Sequence, residues 1–240
     1  MQPDITCIIP AWNEEALIAD AIESVLAQSY PVSELIVIDD GSTDRTAEIA
    51  SSYAKVRVIR QKNAGLAGAR NAGLHAAQSN YIAFLDADDL WKPEKLELQV
   101  PVFAQNPAPD LCLCHVEHID IRPVTEGRAE LSLPKGPVPG GLMATLLAPK
   151  EIFDHVGAFD TSLRAGPDHD WFIRAREAGV SEEIRPETLV TRRIHGTNMS
   201  LQFDQDKRRS AMALLERALR NRRAKGEQGQ AVEEWRSPGK

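Results

Sequence analysis

Continuous apolar runs alternate along the first part of the chain with segments whose apolar residues recur at helical spacing. The runs are short and rich in branched residues, which predicts buried strands at 5–9, 35–39, 56–60 and 81–85. The intervening segments carry an apolar or alanine-rich face, which predicts helices at 13–29, 44–54 and 65–78. A further helix is expected to open near Pro93 and to end or kink at Pro101. This alternation predicts an α/β fold with a parallel sheet covered by helices on both faces.

The bulk composition is ordinary for a soluble globular protein, with 42% hydrophobic and 26% charged residues in 240 positions. No run approaches the roughly 18 apolar residues of a membrane-spanning helix. The N-terminal segment lacks the basic leader and long apolar core of a signal peptide. Cys7, Cys112 and Cys114 lie in apolar runs, as reduced core cysteines do, so we predict a cytoplasmic protein. The formal net charge of -7 argues against nucleic acid as a partner.

Polar and acidic residues follow three of the predicted strands at the points where those strands end. The segments are PAWNE after the first strand, DDGSTD after the second and DADD after the fourth. Because the carboxyl ends of parallel strands meet at one edge of a sheet, we expect a ligand site there. Asp86 and Asp88 would face the same way if strand geometry continued through DADD.

A divalent cation would offset the repulsion between these carboxylates. All-oxygen ligation suits Mg2+ or Mn2+, and two protein carboxylates leave coordination positions that a diphosphate would fill. An Asp-rich turn that only caps the helix near Pro93 explains the same residues, so this motif alone does not decide between a metal site and a cap.

The loops together carry a set of motifs in a fixed order. IIPAWNEE is followed by LIVIDDGSTDRT, NAGLAGARNAG and FLDADD, then by KEIFDHVGAFD at 150–160 and GPDHDWFIRAREAG at 166–179. This ordered set resembles the family 2 glycosyltransferases over roughly residues 4–200. The resemblance implies a GT-A fold, with a Rossmann-like, mostly parallel central sheet and helices on both faces. It also implies a metal-dependent enzyme that transfers a sugar from a nucleotide-sugar donor.

The resemblance further implies a division of the chain. Residues 1–203 would form the GT-A domain, with a nucleotide-sugar-binding half at about 1–105 and an acceptor half at about 106–203. Residues 204–240 would form a C-terminal helix and a polar tail. Basic residues flank the apolar stripe of this helix, so 207–225 would either contact the inner face of an anionic membrane or dock on its own domain. The residues leave homodimer formation undecided.

In this family the first two loops border the nucleotide. Carried over, Pro10, Trp12 and Glu14 would border the base and ribose, with the Trp12 ring against the base. Trp12 could instead cover the sheet edge. Asp40 would accept a hydrogen bond from the ring N–H of uracil or thymine, which favours a UDP- or dTDP-linked sugar, while Asp39 would be more structural. An ordinary turn is the alternative for this Asp pair.

The third loop and DADD would complete the donor site. Arg70 would reach the base or the phosphates, unless it is solvated on its alanine-rich helix. Asp86 and Ala87 would contact the donor, with Asp86 at the ribose, the metal or both, and Asp88 would bind Mn2+ or Mg2+. Asp89 would cap the following helix.

The reaction needs a second carboxylate, a general base that deprotonates the acceptor hydroxyl. The family places it as the Asp of a Glu-Asp pair at the start of a helix, which maps to Asp168, although Pro167 stands in place of the Glu. Asp170 is the fallback base, and Asp168 could also be the N-cap of this helix. Direct displacement would invert the anomeric centre, as family 2 enzymes do, and the sequence offers no evident nucleophile for a double displacement.

The segment TRRIHGTNMS at 191–200 resembles the last loop of the family. His195 would bind the metal or donate to the diphosphate, with an ordinary structural role as the alternative. Arg192 or Arg193 would help to hold the diphosphate or would be solvated on a strand edge.

Three other classes of protein are alternatives to a glycosyltransferase. A catalytically inactive sugar-nucleotide sensor or scaffold is favoured only by the missing Glu before Asp168. A phosphoacceptor receiver domain would carry its acidic pair after the first strand, whereas this pair follows the second. A sugar-phosphate nucleotidyltransferase would need a Gly-rich loop in place of PAWNEE. The acceptor would be a glycan, a lipid-linked molecule, a small molecule or a peptide, selected near the Pro- and Gly-rich loop 121–141.

Overall fold

The computed structural model describes residues 3–105, 108–123, 133–163, 166–196 and 198. The predicted C-terminal helix and polar tail at 204–240 lie outside these residues, and so does the middle of the predicted loop, 124–132. Within the described ranges, no helix is both long enough and apolar enough to cross a membrane.

Strands and helices alternate up to residue 84 in the predicted order. The strands are β1 Ile5–Ala11, β2 Glu34–Asp39, β3 Val56–Arg60, β4 Tyr81–Phe84, β5 Leu90–Trp91, β6 Leu111–Asp120, β7 Leu147–Pro149 and β8 Glu182–Ile194. The α-helices are α1 Ile18–Leu26, α2 Thr46–Ser51, α3 Gly65–Ala76, α4 Lys95–Gln99, α5 Glu151–Val156 and α6 Pro167–Glu177. Short 3-10 helices occupy Val100–Ala104 and Met143–Thr145.

In the part of the chain that the structure describes, the strands form one eight-stranded sheet in the order β3-β2-β1-β4-β7-β6-β8-β5. Strands β3, β2, β1 and β4 are parallel, with Ile8 of β1 opposite Ile36 of β2 and Phe84 of β4. Strand β7 runs antiparallel to β4 and β6, β8 is parallel to β6, and β5 is antiparallel to β8. The PAWNE, DDGSTD and DADD segments therefore leave the sheet at one edge, as predicted.

Helices cover both faces of this sheet. On one face, Ile9 of β1 packs in a core with residues of α1, α2 and α4. On the other face, Ile8 and Phe84 pack with residues of α3, α5 and α6, including Trp171. The neighbouring residues Ile8 and Ile9 are both 0% exposed, which explains why the strands are continuously apolar instead of alternating. The predicted α/β sheet with helices on both faces is confirmed.

Helices α1, α2 and α3 are shorter than predicted, whereas α4 ends just before Pro101 as expected. Helix α1 begins at Ile18, because the amides of Leu17 and Ile18 both bind the Glu14 carbonyl in a preceding turn. Helix α4 ends at Gln99 and continues as a 3-10 helix that contains Pro101. Proline has no amide hydrogen, so the α-helical hydrogen-bond ladder cannot continue through it.

Helix α3 approaches β1 closely at Gly73. A Cβ atom at this position would lie 2.3 Å from the Cγ2 atom of Ile8, far inside van der Waals contact. Only glycine therefore allows α3 to lie this close to the sheet. The contact also sets the position of Arg70, which lies one turn earlier on the same helix.

Candidate active site

The loop between β1 and α1 leaves one aromatic ring open to solvent. Trp12 is 52% exposed, whereas Pro10 is buried within β1. Asn13 has a φ of 54°, in the left-handed region that asparagine tolerates better than most residues. Its side chain accepts from the Thr43 amide at 2.8 Å, and its own amide donates to Ser42 Oγ at 3.0 Å. The loop is thus fixed against the next loop, while the Trp12 ring stays available for stacking.

Asp40 lies buried at the start of α3. Its Oδ1 accepts from the Ala64 amide at 2.8 Å and from Gln61 Nε2 at 2.7 Å, and its Oδ2 accepts from the Gly65 amide at 2.9 Å. A carboxylate at a helix N-terminus is also stabilised by the helix dipole. Because a carboxylate has about four acceptor positions, Oδ2 keeps one for another donor. The neighbouring Asp39 is 0% exposed and binds an arginine of β3 at 2.9 Å.

The DADD segment is a turn and not an extension of β4, which ends at Phe84. The Asp89 amide donates to the Asp86 carbonyl at 3.0 Å and closes this turn. The side chains of Asp86 and Asp88 consequently bind different partners. The strand geometry on which the expected common orientation of these two carboxylates depended therefore does not continue through DADD. Ala87, between them, is buried.

Asp89 binds a distant strand and does not cap a helix. It is 1% exposed and accepts from the Arg193 amide at 3.0 Å, while α4 begins after Glu94 with no side-chain cap. The cap prediction for Asp89 is therefore wrong. Burial, with Asp88 and other nearby acids, raises the pKa of Asp89 well above its usual value. The buried Arg193 donates to the Asp88 carbonyl and to the Asp20 carboxylate, each at 2.6 Å. It therefore stabilises the turn and is not solvated.

Arg70 connects two acids from opposite halves of the chain. Its guanidinium is 0% exposed, donates to Asp86 at 2.8 Å and forms an ion pair with Asp168. The same group lies 5.9 Å from the Phe84 ring centroid and 5.5 Å from that of Phe159. Burial acts to lower the pKa of Arg70, but the two carboxylates outweigh it and raise this pKa. Burial raises the pKa of Asp86 although Arg70 opposes the shift.

Asp168 lies in the first turn of α6, whose N-cap is Gly166, so the alternative that Asp168 is the N-cap is wrong. While Oδ1 binds the arginine, Oδ2 accepts from the Met143 amide at 3.1 Å. The fallback base Asp170 is 0% exposed and binds Arg174 at 2.8 Å. Since that arginine also donates to the carbonyls of Val156, at the end of α5, and of Ala158, Asp170 ties α6 to α5.

A second group forms around Asp88. His195 Nε2 and Asn198 Nδ2 both lie 3.0 Å from Asp88 Oδ2, and the His195 amide binds the Asn198 side chain. Glu14, which is expected to border the base and ribose, lies beside this group. One ligand atom from each of Glu14, Asp88 and His195 lies within 4.8 Å of the other two. Burial first, and then Asp88, raise the pKa of Glu14 to about 7. The hydrogen bond to Asp88 raises the pKa of His195.

These three residues fit a divalent cation. Two carboxylates and an imidazole offer oxygen and nitrogen ligand atoms that lie within 4.8 Å of one another, which is a donor set that divalent cations accept. The structure thus brings six of the predicted site residues into two adjacent groups, one around Arg70 and one around Asp88. The members are Arg70, Asp86 and Asp168 in the first, and Glu14, Asp88 and His195 in the second.

The sequence matches a known family over much of this region. The family described as glycosyl transferase family 2 matches residues 6–159, a span that runs from β1 to the loop before α6. The chain therefore belongs to glycosyltransferase family 2, as its motifs predict.

Particular relatives agree with this assignment. The chain is 33% identical over 207 residues to an uncharacterized glycosyltransferase of Rickettsia typhi, which covers 80% of this chain and 64% of that protein. It is 32% identical over 216 residues to another from Rickettsia prowazekii, covering 83% and 67%. The chain thus spans about two thirds of the length of these relatives.

The fold resembles that of a solved glycosyltransferase structure. The structure of S. aureus TarS 1–349 in complex with UDP-GlcNAc superposes with a TM-score of 0.66 at 20% identity, over 81% of this chain and 60% of that one. At this identity the likeness shows the fold alone. The predicted GT-A fold is thereby confirmed.

Proposed function

We propose that this chain transfers a sugar from a nucleoside-diphosphate sugar to an acceptor hydroxyl, with inversion at the anomeric carbon. The observation that carries the proposal is the buried Arg70, which binds Asp86 of the DADD turn and Asp168 of α6 at the same time. One guanidinium therefore joins a carboxylate at the donor side of the sheet edge to the acid that we assign as the general base.

The donor we propose is a UDP- or dTDP-linked sugar. An exposed Trp12 ring supports stacking of a base, which is worth about 1–3 kcal/mol in proteins that bind nucleic acid bases. The remaining acceptor position on Asp40 would take the ring N–H at N3 of uracil or thymine, which cytosine lacks. The UDP-GlcNAc complex of TarS, a protein of the same fold, supports this class of donor.

The cation we propose is Mn2+ or Mg2+, held by Asp88, His195 and Glu14. An imidazole ligand suits Mn2+ better than Mg2+, which prefers oxygen. When bound, the ion would act as a Lewis acid that stabilises negative charge on the leaving diphosphate. Asn198 holds both Asp88 and the backbone of Arg193, and so keeps the Asp88 carboxylate in place.

Asp168 would take the proton of the acceptor hydroxyl as that oxygen attacks the anomeric carbon. Its two oxygens are each held by one donor, Arg70 on Oδ1 and the Met143 amide on Oδ2, which fixes the orientation of the carboxylate. A single displacement with this base inverts the anomeric centre. Asp170 forms an ion pair with Arg174, and we do not assign it a role in the reaction.

The division into a donor half at about 1–105 and an acceptor half at about 106–203 is part of the same proposal. A cytoplasmic location is supported by three buried cysteines that are free thiols. Membrane contact through 207–225 would suit a lipid-linked acceptor, and this segment lies outside the described residues.

The alternative is a sugar-nucleotide-binding sensor without turnover. Pro167 in place of the family's Glu favours it, and so does the ion pair between Arg70 and Asp168, because this pair already occupies one oxygen of the assigned base. Turnover separates the two functions, since a sensor binds the donor and releases no diphosphate.

The test is a donor screen at saturating Mn2+ that follows release of nucleoside diphosphate. The acceptor panel contains a glycan, a lipid-linked acceptor, a small-molecule glycoside and a serine-containing peptide. Release that depends on a UDP- or dTDP-sugar and rises with one of these acceptors supports the enzyme. Tight donor binding without release from any donor supports the sensor, and absence of nucleotide-sugar binding contradicts both.

A further inference from the structure

Three buried side chains spaced four residues apart follow the DADD turn. Trp91, Lys95 and Gln99 are 3%, 0% and 0% exposed. Lys95 Nζ lies 4.2 Å from the centroid of the Trp91 ring and donates to Gln99 Oε1 at 2.7 Å. The three side chains thus contact one another in series, and we name them the 91-95-99 row.

The row donates to three consecutive backbone carbonyls. The hydrogen bonds run from Trp91 Nε1 to Ala144 at 2.9 Å, from Gln99 Nε2 to Thr145 at 2.9 Å and from Lys95 Nζ to Leu146 at 3.4 Å. Gln99 also donates to the Cys112 carbonyl of β6 at 3.3 Å. Burying an ammonium group is unfavourable unless its hydrogens find acceptors. The buried segment 143–146 provides such acceptors, and the row in turn fixes its backbone.

The first residue of this segment lies next to the assigned base. The amide of Met143, immediately before Ala144, donates to Asp168 Oδ2 at 3.1 Å. Arg70 holds the other oxygen of the same carboxylate. The orientation of Asp168 therefore depends on one donor from α3 and on one backbone amide whose position is set by the row.

We propose that the 91-95-99 row positions Asp168 through the Met143 amide, so that Trp91, Lys95 and Gln99 are positioning residues for the reaction. The inference rests on the proposed role of Asp168 as the base. The row begins two residues after Asp89, at the end of the DADD turn. One short stretch of chain would then hold both the donor-side carboxylates and, across the segment 143–146, the acid on the acceptor side.

The test uses Trp91→Phe, which keeps an aromatic ring under Lys95 and removes the indole N–H together with the five-membered part of the ring. Lys95→Met is the second variant, because it keeps the length of the side chain and removes its donors. Tyr30→Phe is the matched control, since it also removes one side-chain hydrogen bond to a backbone carbonyl, at 2.8 Å to Pro3, away from the row. Amide hydrogen exchange at Met143 and steady-state kcat and donor KM are measured for each variant of the full chain.

We expect faster exchange at Met143 in both row variants, with kcat lowered about tenfold and the donor KM unchanged. This is less than the roughly 100-fold loss that a misplacement of about 1 Å can cause. Tyr30→Phe should change neither quantity. An unchanged exchange rate at Met143, or an unchanged kcat, in both row variants overturns the proposal, and so does an equal kcat loss in Tyr30→Phe.

Failure of the proposed function can be distinguished from failure of this inference alone. If the wild-type chain turns over no donor, the assignment of Asp168 as a base is refuted, and the catalytic part of this inference with it. Exchange at Met143 then still decides whether the row holds the segment 143–146, because that measurement needs no substrate.

Discussion

Replacing Asp168 by Asn separates chemistry from binding at the assigned base. The ion pair it breaks is buried, because Arg70 is 0% and the Asp168 side chain 9% exposed. Removing one partner of a buried ion pair costs about 3–5 kcal/mol. Arg70 keeps its contact to Asp86 at 2.8 Å, and Asn keeps an acceptor oxygen, so we expect a loss below this range, of about 2 kcal/mol. For a chain of this size that corresponds to a melting temperature lowered by about 4–8 °C.

The catalytic effect should be much larger than the effect on stability. Loss of a general base typically lowers the rate by a factor of about 10² to 10⁴. We expect this loss in kcat, measured as release of nucleoside diphosphate at saturating donor and acceptor, with donor affinity by calorimetry near the wild-type value. A kcat loss accompanied by an equal loss of donor affinity would refute the division between donor and base.

Asp170→Asn is the matched control, because it makes the same chemical change two residues along the same helix. Asp170 is 0% exposed and pairs with Arg174, so its variant should lose comparable stability and keep its kcat. Full turnover by Asp168→Asn would remove Asp168 from the mechanism. An inactive Asp170→Asn variant, together with an active Asp168→Asn variant, would show that the base was assigned to the wrong residue.

Four further outcomes are expected. Gly73→Ala should lower the free energy of unfolding, measured by chemical denaturation, by about 1–3 kcal/mol through overpacking. Gly141→Ala, which has nothing within 4 Å of its Cβ, should leave this free energy unchanged, and equal stabilities of the two variants would contradict the prediction. Asp88→Asn should abolish Mn2+-dependent donor binding in calorimetry while the fold persists, and an unchanged affinity would remove Asp88 from the ligand set. Trp12→Ala should weaken UDP binding by about 1–3 kcal/mol and Trp12→Phe by less, whereas equal affinities would exclude stacking. Asp40 should make UDP a better competitor than CDP, because cytosine has no hydrogen on N3, and equal displacement of the donor would contradict that role.

The sheet edge could be predicted because its signals are local. Continuous apolar runs such as 35–39 mark buried parallel strands, and the residues that follow them must leave the sheet at one edge. Trp12 and Asp40 could be placed there without knowledge of any contact. The end of α4 could be predicted as well, because Pro101 interrupts the α-helical hydrogen-bond ladder.

The contacts inside the site depend on residues that are distant in sequence. Arg70 and Asp168 are 98 positions apart, so nothing in an alanine-rich helix indicates that its arginine is buried between two acids. The family resemblance places Glu14 at the nucleotide. Its approach to Asp88 could not be predicted, because it depends on how the loops fold over the sheet edge. Asn13 received no role, although asparagine tolerates the left-handed backbone found there better than most residues.

The most direct test of the central claim follows a UDP-sugar by proton NMR during turnover by the full chain with Mn2+. An α-linked donor should yield UDP together with a sugar product that is β-linked when it first forms. Chelation of the cation, or Asp168→Asn, should stop both signals together. A product that first forms with the α configuration would contradict direct displacement, and a donor that remains intact with every acceptor would contradict the proposed activity.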